Sequence, residues 1–201
     1  MLRNAKTAAK IAFLPTWRLK LAGRIVPGTT TREYVPNFKS TDYWAFYNSL
    51  INDERLLEAM RRNGFTGEFY VHPSFEKQAA DFSGNDVISV GESVANYEKV
   101  LGESALLVTD YSGVAFDFGY QRKPVVYSQY DSVFGGEHSY GDDTYFDYRV
   151  DGFGPVATTV DEVVDAVIGY MERDCAMENE YRVRAEKLFG YDDFANSKRI
   201  F

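Results

Sequence analysis

The stretch LLVTDYSGVAFDFGYQRKPVVY, Leu106 to Tyr127, sets two apolar runs on either side of a polar knot, Thr109-Asp110-Tyr111-Ser112-Gly113. A short apolar run closed by such residues predicts a buried strand over 105–109, and the residues after it predict a helix over 113–120. A second strand is expected over 123–127. Strand, helix and strand in so few residues make a βα unit whose two strands run parallel.

The same alternation extends outward. Residues 10–15 (KIAFLP) read as a strand ended by Pro15, 68–72 as a strand closed by Pro73, and 86–90 as another. Helical spacing of Tyr43, Phe46, Tyr47, Leu50, Leu56, Leu57 and Met60 predicts one helix from Thr41-Asp42 to a stop at Asn63-Gly64. Further helices are expected over 94–101, over 159–171 behind Thr159-Val160-Asp161-Glu162, and over 180–189. Residues 16–40 and 131–155 read as long loops, the kind that is commonly functional in a compact domain. Near-continuous apolar strands alternating with helices imply a parallel sheet covered on both faces, a doubly wound α/β domain.

Composition agrees with that class. Of the 201 residues, 45% are hydrophobic and 16% aromatic, enough for a sizeable core in one domain. No apolar run is long enough to cross a bilayer, and the basic N-terminus lacks the apolar centre of a signal peptide, so a cytoplasmic location is expected. The single cysteine, Cys175, excludes an intrachain disulfide and is read as a bystander thiol in a helical run. A net charge of -8 argues against a nucleic-acid binder. The charge is uneven: residues 1–39 carry Arg3, Lys6, Lys10, Arg18, Lys20, Arg24, Arg32 and Lys39 against Glu33 alone.

In a doubly wound sheet ligands bind beyond the carboxyl ends of the strands. Four polar runs fall there: Pro15-Thr16-Trp17-Arg18, His72-Pro73-Ser74, Gly91-Glu92-Ser93 and Thr109-Asp110-Tyr111-Ser112-Gly113. If Ser112 and Gly113 open a helix, their N–H groups and the Ser112 hydroxyl suit an anion, although Asp110 and Ser112 are equally good helix caps. A free Arg18 suits a phosphate, with a surface arginine stacked on Trp17 as the competing reading. His72 can hydrogen-bond a phosphate or act as an acid, or simply satisfy a strand end. Asp117, seven residues past Asp110, is expected on the Gly113 side of the helix, where facing the apolar sheet would be costly unless it is paired. His138 is read as solvated. HExxH, Walker A, GxGxxG and paired-cysteine patterns are absent.

In that order, "PTWR" (15–18), "HP" (72–73), "TDYSGVAFDFGYQRKPVVY" (109–127) with Asp131 just beyond, "GP" (154–155) and the terminal "YDDFANSKRI" (191–200) resemble the C-terminal half of the CDP-glycerol glycerophosphotransferases, the teichoic acid polymerases and primases. The resemblance implies a Rossmann-like domain over 1–201, the donor half of a GT-B fold, with an acceptor-side domain outside this chain. It implies transfer of glycerol phosphate or ribitol phosphate from a CDP-alditol to a hydroxyl of a lipid-linked polymer, releasing CMP. It also implies a peripheral place on the inner face of the membrane and no metal or cofactor.

Among the residues, the resemblance implies that Thr16, Arg18, His72, Ser112 and Gly113 contact the donor phosphates. His72, Asp110 and Asp117 become the catalytic candidates, with His72 assisting the departing CMP. Gly113 stands where the family usually has a second serine. The 201 residues alone are expected to bind the donor and transfer it slowly or not at all. Two other readings stay open: a GT-B donor domain for a nucleotide sugar, and a noncatalytic interaction domain using Tyr130, Phe134, Tyr140, Tyr145, Phe146 and Tyr148 as a partner surface.

Overall fold

A computed structural model describes residues 10–91, 97–131, 146–191, 193 and 195–200. Six parallel strands form one sheet: β1 (Lys10–Leu14), β2 (Thr66–Tyr70), β3 (Ile88–Gly91), β4 (Ser104–Thr109), β5 (Val125–Ser128) and β6 (Val156–Ala157). Their spatial order is β3-β2-β1-β4-β5-β6, so the first strand of the chain lies inside the sheet and pairs with both β2 and β4. The expected doubly wound α/β fold is present.

Alternation along the strands divides the core between two faces. Ile11, Phe13, Phe69, Leu106, Val108 and Val126 point to one face, under α1 (Asp42–Ile51), α2 (Glu54–Asn63) and α5 (Val160–Met171). Ala12, Leu14, Tyr70, Leu107, Val125 and Tyr127 point to the other, with α3 (Tyr97–Glu103), α4 (Val114–Tyr120) and α6 (Asn179–Leu188). A short α7 (Asn196–Ile200) follows.

The helix expected over 41–63 is two helices. Its apolar spacing runs through the break because both pieces pack on the same face. Asp53 interrupts it, accepting the N–H groups of Arg55 and Leu56 and capping α2, while Thr41 caps α1 through Trp44 N–H and Gly64 ends α2 in the left-handed region at φ 71°. Unforeseen were β6, only two residues long, and a 3-10 helix over Pro73–Asp81. Cys175 is not helical either: it lies in the turn after α5 at φ 52°. Burial pushes its thiol up to about 12, which keeps it protonated.

α4 is placed by packing. Phe118 is fully buried, worth about 1.5–3 kcal/mol, more than a helix cap supplies. The chain presses on β5 through Gly154, where an added Cβ would stand 1.5 Å from the Val125 carbonyl oxygen. Gly154→Ala is therefore expected to cost about 3 kcal/mol, lowering the melting temperature by about 6–12 °C. A melting temperature within 2 °C of wild type, roughly the size of a surface substitution, would contradict this packing.

Candidate functional site

Between β1 and β4 the strand order reverses, and the chain leaves β1 toward one face and β4 toward the other. That divergence opens a crevice at the carboxyl ends. A cavity of about 320 Å³ occupies it, walled by Leu14, Pro15, Thr16 and Trp17 after β1, by Tyr70, Val71, His72 and Pro73 after β2, by Tyr111, Ser112 and Gly113 after β4, and by Tyr97 at the start of α3. Three of the four strand-end runs singled out in the sequence thus meet at one place. Of the fourth, Glu92 and Ser93 lie outside the described residues, as does His138.

Below the cavity lies a buried ionic centre. Asp110 is fully buried, and both its oxygens are taken: Oδ1 accepts from Thr16 N–H (2.8 Å) and Tyr111 N–H (2.6 Å), Oδ2 from Tyr47 Oη (3.2 Å) and Arg18 Nη1 (2.9 Å). Arg18, 4% exposed, donates through Nε and Nη2 to the two oxygens of Asp131 (2.7 and 2.9 Å) and through Nη1 to Thr16 O (2.7 Å). The rings of Tyr43, Tyr111 and Tyr130 surround the guanidinium at 5.5–5.8 Å. Burial alone would lower the pKa of Arg18, but Asp110 and Asp131 outweigh it and raise it. Burial, then Asp110, holds the Tyr47 and Tyr43 hydroxyls protonated well above their ordinary range.

Two expectations are corrected here. Arg18 does not stand free for a phosphate: it is buried, and four of its five N–H groups go to Asp110, Asp131 and Thr16. Asp110 does not cap α4 and does not line the cavity; its carboxylate ties the end of β4 to the loop after β1. Asp131, whose side chain grips Arg18 from beyond β5, had no role read for it in the sequence.

The other candidates line the cavity. His72 precedes the 3-10 helix, and its Nδ1 accepts from Ser74 N–H at 3.1 Å, which leaves the ring proton on Nε2. The ring stacks on Trp17, centroids 5.8 Å apart. Ser112 Oγ accepts from Val114 N–H (3.3 Å), so its hydroxyl hydrogen remains to be donated. The N–H groups of Ser112 and Gly113 donate to nothing among the described residues. The Thr16 hydroxyl is buried in the wall with no partner among the described residues. Gly113 is exposed, and a Cβ there would meet nothing within 4 Å.

Asp117 does not join this group. It is exposed and lines a different cavity, of about 420 Å³, with Phe116, Tyr120, Phe189, Gly190, Tyr191 and Asn196. It shares the exposed side of α4 with Gly113 but stands one turn further along, about 6 Å from the crevice end of the helix, and so faces neither the crevice nor the sheet. Tyr130, Phe146 and Tyr148, expected as an exposed surface, are partly buried against the core instead. Phe134, Tyr140 and Tyr145 lie outside the described residues.

Strand order and crevice define the class: a doubly wound α/β domain with a ligand seat at its switch point. The chain belongs to the CDP-Glycerol:Poly(glycerophosphate) glycerophosphotransferase family, whose model matches residues 3–201. It is 36% identical over 200 residues to the minor teichoic acid biosynthesis protein GgaB of Bacillus subtilis, covering all of this chain and 22% of that protein. It is 29% identical over 197 residues to a teichoic acid glycerol-phosphate transferase of Staphylococcus aureus, covering 94% of this chain and 43% of that one. The chain therefore spans less than half the length of these relatives.

Among solved structures, the wall teichoic acid polymerase TagF shares the fold with a TM-score of 0.59 at 19% identity, over 99% of this chain and 44% of that one. A putative UDP-N-acetylglucosamine 2-epimerase from Listeria monocytogenes does so with 0.53 at 15% identity, over 99% and 45%. Among the described residues no helix is long and apolar enough to cross a membrane.

The ionic centre has a measurable signature. Removing one partner of a buried pair strands the other, so Arg18→Met is expected to cost about 3–5 kcal/mol in chemical denaturation. Adding Asp110→Asn should restore part of it, a coupling of about 1–3 kcal/mol. A loss below about 1 kcal/mol for Arg18→Met, the size of an exposed pair, would contradict the buried centre.

Proposed function

We propose that this chain holds a CDP-alditol, CDP-glycerol in the first instance, in the switch-point cavity. In this reading it supplies the donor half of glycerol phosphate transfer to a hydroxyl of a polymer. The observation that carries it is the convergence of Thr16, His72, Ser112 and Gly113 on one cavity, where the Ser112 and Gly113 N–H groups and the Ser112 hydroxyl hydrogen have no acceptor among the described residues. Family membership supports the donor and the reaction. A TagF variant solved after soaking with CDPG shares this fold.

The chemistry follows from the donors. An acceptor hydroxyl oxygen bonds to the phosphorus that bears glycerol, the bond from that phosphorus to the CMP oxygen breaks, and the hydroxyl proton passes to a base. CMP leaves carrying the bond's electron pair. The Ser112 and Gly113 N–H groups and the Thr16 and Ser112 hydroxyls stabilise the charge that gathers on the phosphate oxygens. His72, its ring proton on Nε2, donates to the leaving oxygen. Among the described residues no Lys or Arg lines the cavity, so binding draws on oriented neutral donors and varies little with salt. The acceptor and its base are supplied outside this domain, and transfer by these residues alone is slow.

Titration calorimetry with CDP-glycerol, CDP-ribitol, CDP and UDP-glucose tests the proposal. CDP-glycerol is expected to bind in preference to UDP-glucose, with Ser112→Ala and His72→Ala each weakening it about tenfold, the size of one hydrogen bond to a charged group. Because a side chain fits at Gly113, Gly113→Ser should tighten binding by up to about tenfold. Preference for UDP-glucose would move the chain to nucleotide-sugar chemistry, and no nucleotide binding by the folded chain would overturn the donor reading.

A further inference from the structure

Much of the basic bias of the first forty residues is left over from the donor site, since among the described residues no Lys or Arg lines the cavity. Lys10 pairs with Glu68 and Arg18 is buried beneath the cavity, but Arg24 and Arg32 are built onto an ordered hairpin, and Lys39 lies in the segment that follows it. Val26 N–H donates to Thr31 O (2.9 Å), Glu33 N–H donates to Arg24 O (2.8 Å), and Ile25 bridges Arg32 in antiparallel fashion. Gly28, at φ 78°, makes the turn. Arg32 Nη1 grips Gly23 O (2.9 Å), and the space at Gly23 is filled by the Glu33 carbonyl, 2.1 Å from where a Cβ would stand. The hairpin is thus pinned at its base.

It is also pinned beside the crevice. The Arg32 guanidinium lies 5.0 Å from the centroid of the Trp17 ring, and the same ring stacks on His72 in the cavity wall. Arg24 and Lys39 project into solvent, and no ion pair joins either to another described residue. A solvated face needs neither such pinning nor this concentration of one sign in a chain of net charge -8.

We infer that the hairpin and its flank, presenting Arg24, Arg32 and Lys39, form a docking track for the polyanionic acceptor, a chain of phosphodiester units, and lead its growing end to the mouth of the donor cavity. This rests on the proposed donor reading. Charge complementarity selects the occupant: a glycerophosphate chain carries one negative charge per repeat, and several weak contacts along it release counterions together. Ile25 and Leu19 are exposed on the same segment, which makes an anionic lipid surface the competing partner. Single exposed aliphatic residues are ordinary on a soluble surface, and the contact of Arg32 with Trp17 ties the track to the cavity rather than to a plane.

The probe is a soluble poly(glycerol phosphate) oligomer, titrated without nucleotide against the whole chain and against Arg24→Glu/Lys39→Glu. Arg62→Glu/Arg182→Glu, on α2 and α6, is the charge-matched control. The expected result is a binding constant that falls steeply with salt for wild type and the control, and a log–log slope at least about 1.5 units shallower in the track variant. CDP-glycerol affinity should be the same for all three. Equal oligomer binding by the track variant and the control would overturn the track. So would a track variant that keeps the oligomer but loses vesicles of anionic phospholipid. Failure of the donor reading appears separately, as absence of CDP-glycerol binding in every variant.

Discussion

One guanidinium ties two walls of the cavity to a third strand. Arg18 sits after β1, Asp110 ends β4 and Asp131 follows β5, so its contacts join the carboxyl ends of three neighbouring strands, with Arg18 and Asp110 buried. Thr16 N–H and Tyr111 N–H bind the Asp110 oxygen that Arg18 leaves, which fixes the backbone of both cavity walls. A buried pair of this kind gains little over a hydrophobic substitute, and its value is geometric. The tyrosines packed around it, Tyr43 and Tyr47 from α1 and Tyr130 beyond β5, couple the helix layer to the same point.

This explains a division of labour within the strand-end runs. The charged members are turned inward and spent on structure, while the cavity is lined by neutral donors: a serine hydroxyl, two backbone N–H groups and an imidazole, with a threonine hydroxyl buried in the wall behind them. Such donors hold their positions without the solvent reorganisation that a mobile lysine would need. Free positive charge is carried by the adjoining hairpin, where a polymer and not a nucleotide would meet it.

The fold was largely legible because buried parallel strands write themselves as short apolar runs closed by polar or proline residues, as at Leu106–Thr109. Where the signal was shared between competing structures it misled. The spacing from Tyr43 to Met60 is continuous because both helices cover one face, and only the capping chemistry of Asp53 marks the break. β6 has two residues and takes its register from β5, which no local pattern encodes. For the site, position after a strand was readable but partnership was not. Arg18 and Asp110 bear the residue types of an active site, and only their 92-residue separation closing in three dimensions shows that they satisfy each other. Asp117 shares the Gly113 side of α4 as its spacing implies, but that side is exposed and the step of one turn along the axis carries it out of the crevice, a displacement that spacing alone does not show.

The most direct test of the central claim, that the switch-point crevice is the donor seat, is a nitrogen–proton correlation titration of the whole chain with CDP-glycerol. The account predicts shifts concentrated at the amides of Thr16, Ser74, Ser112 and Gly113 and at the His72 ring nitrogens, with Asp117, Tyr120 and Tyr191 unmoved. Shifts centred on those three, at the cavity beside α4, with the crevice amides unchanged, would contradict it.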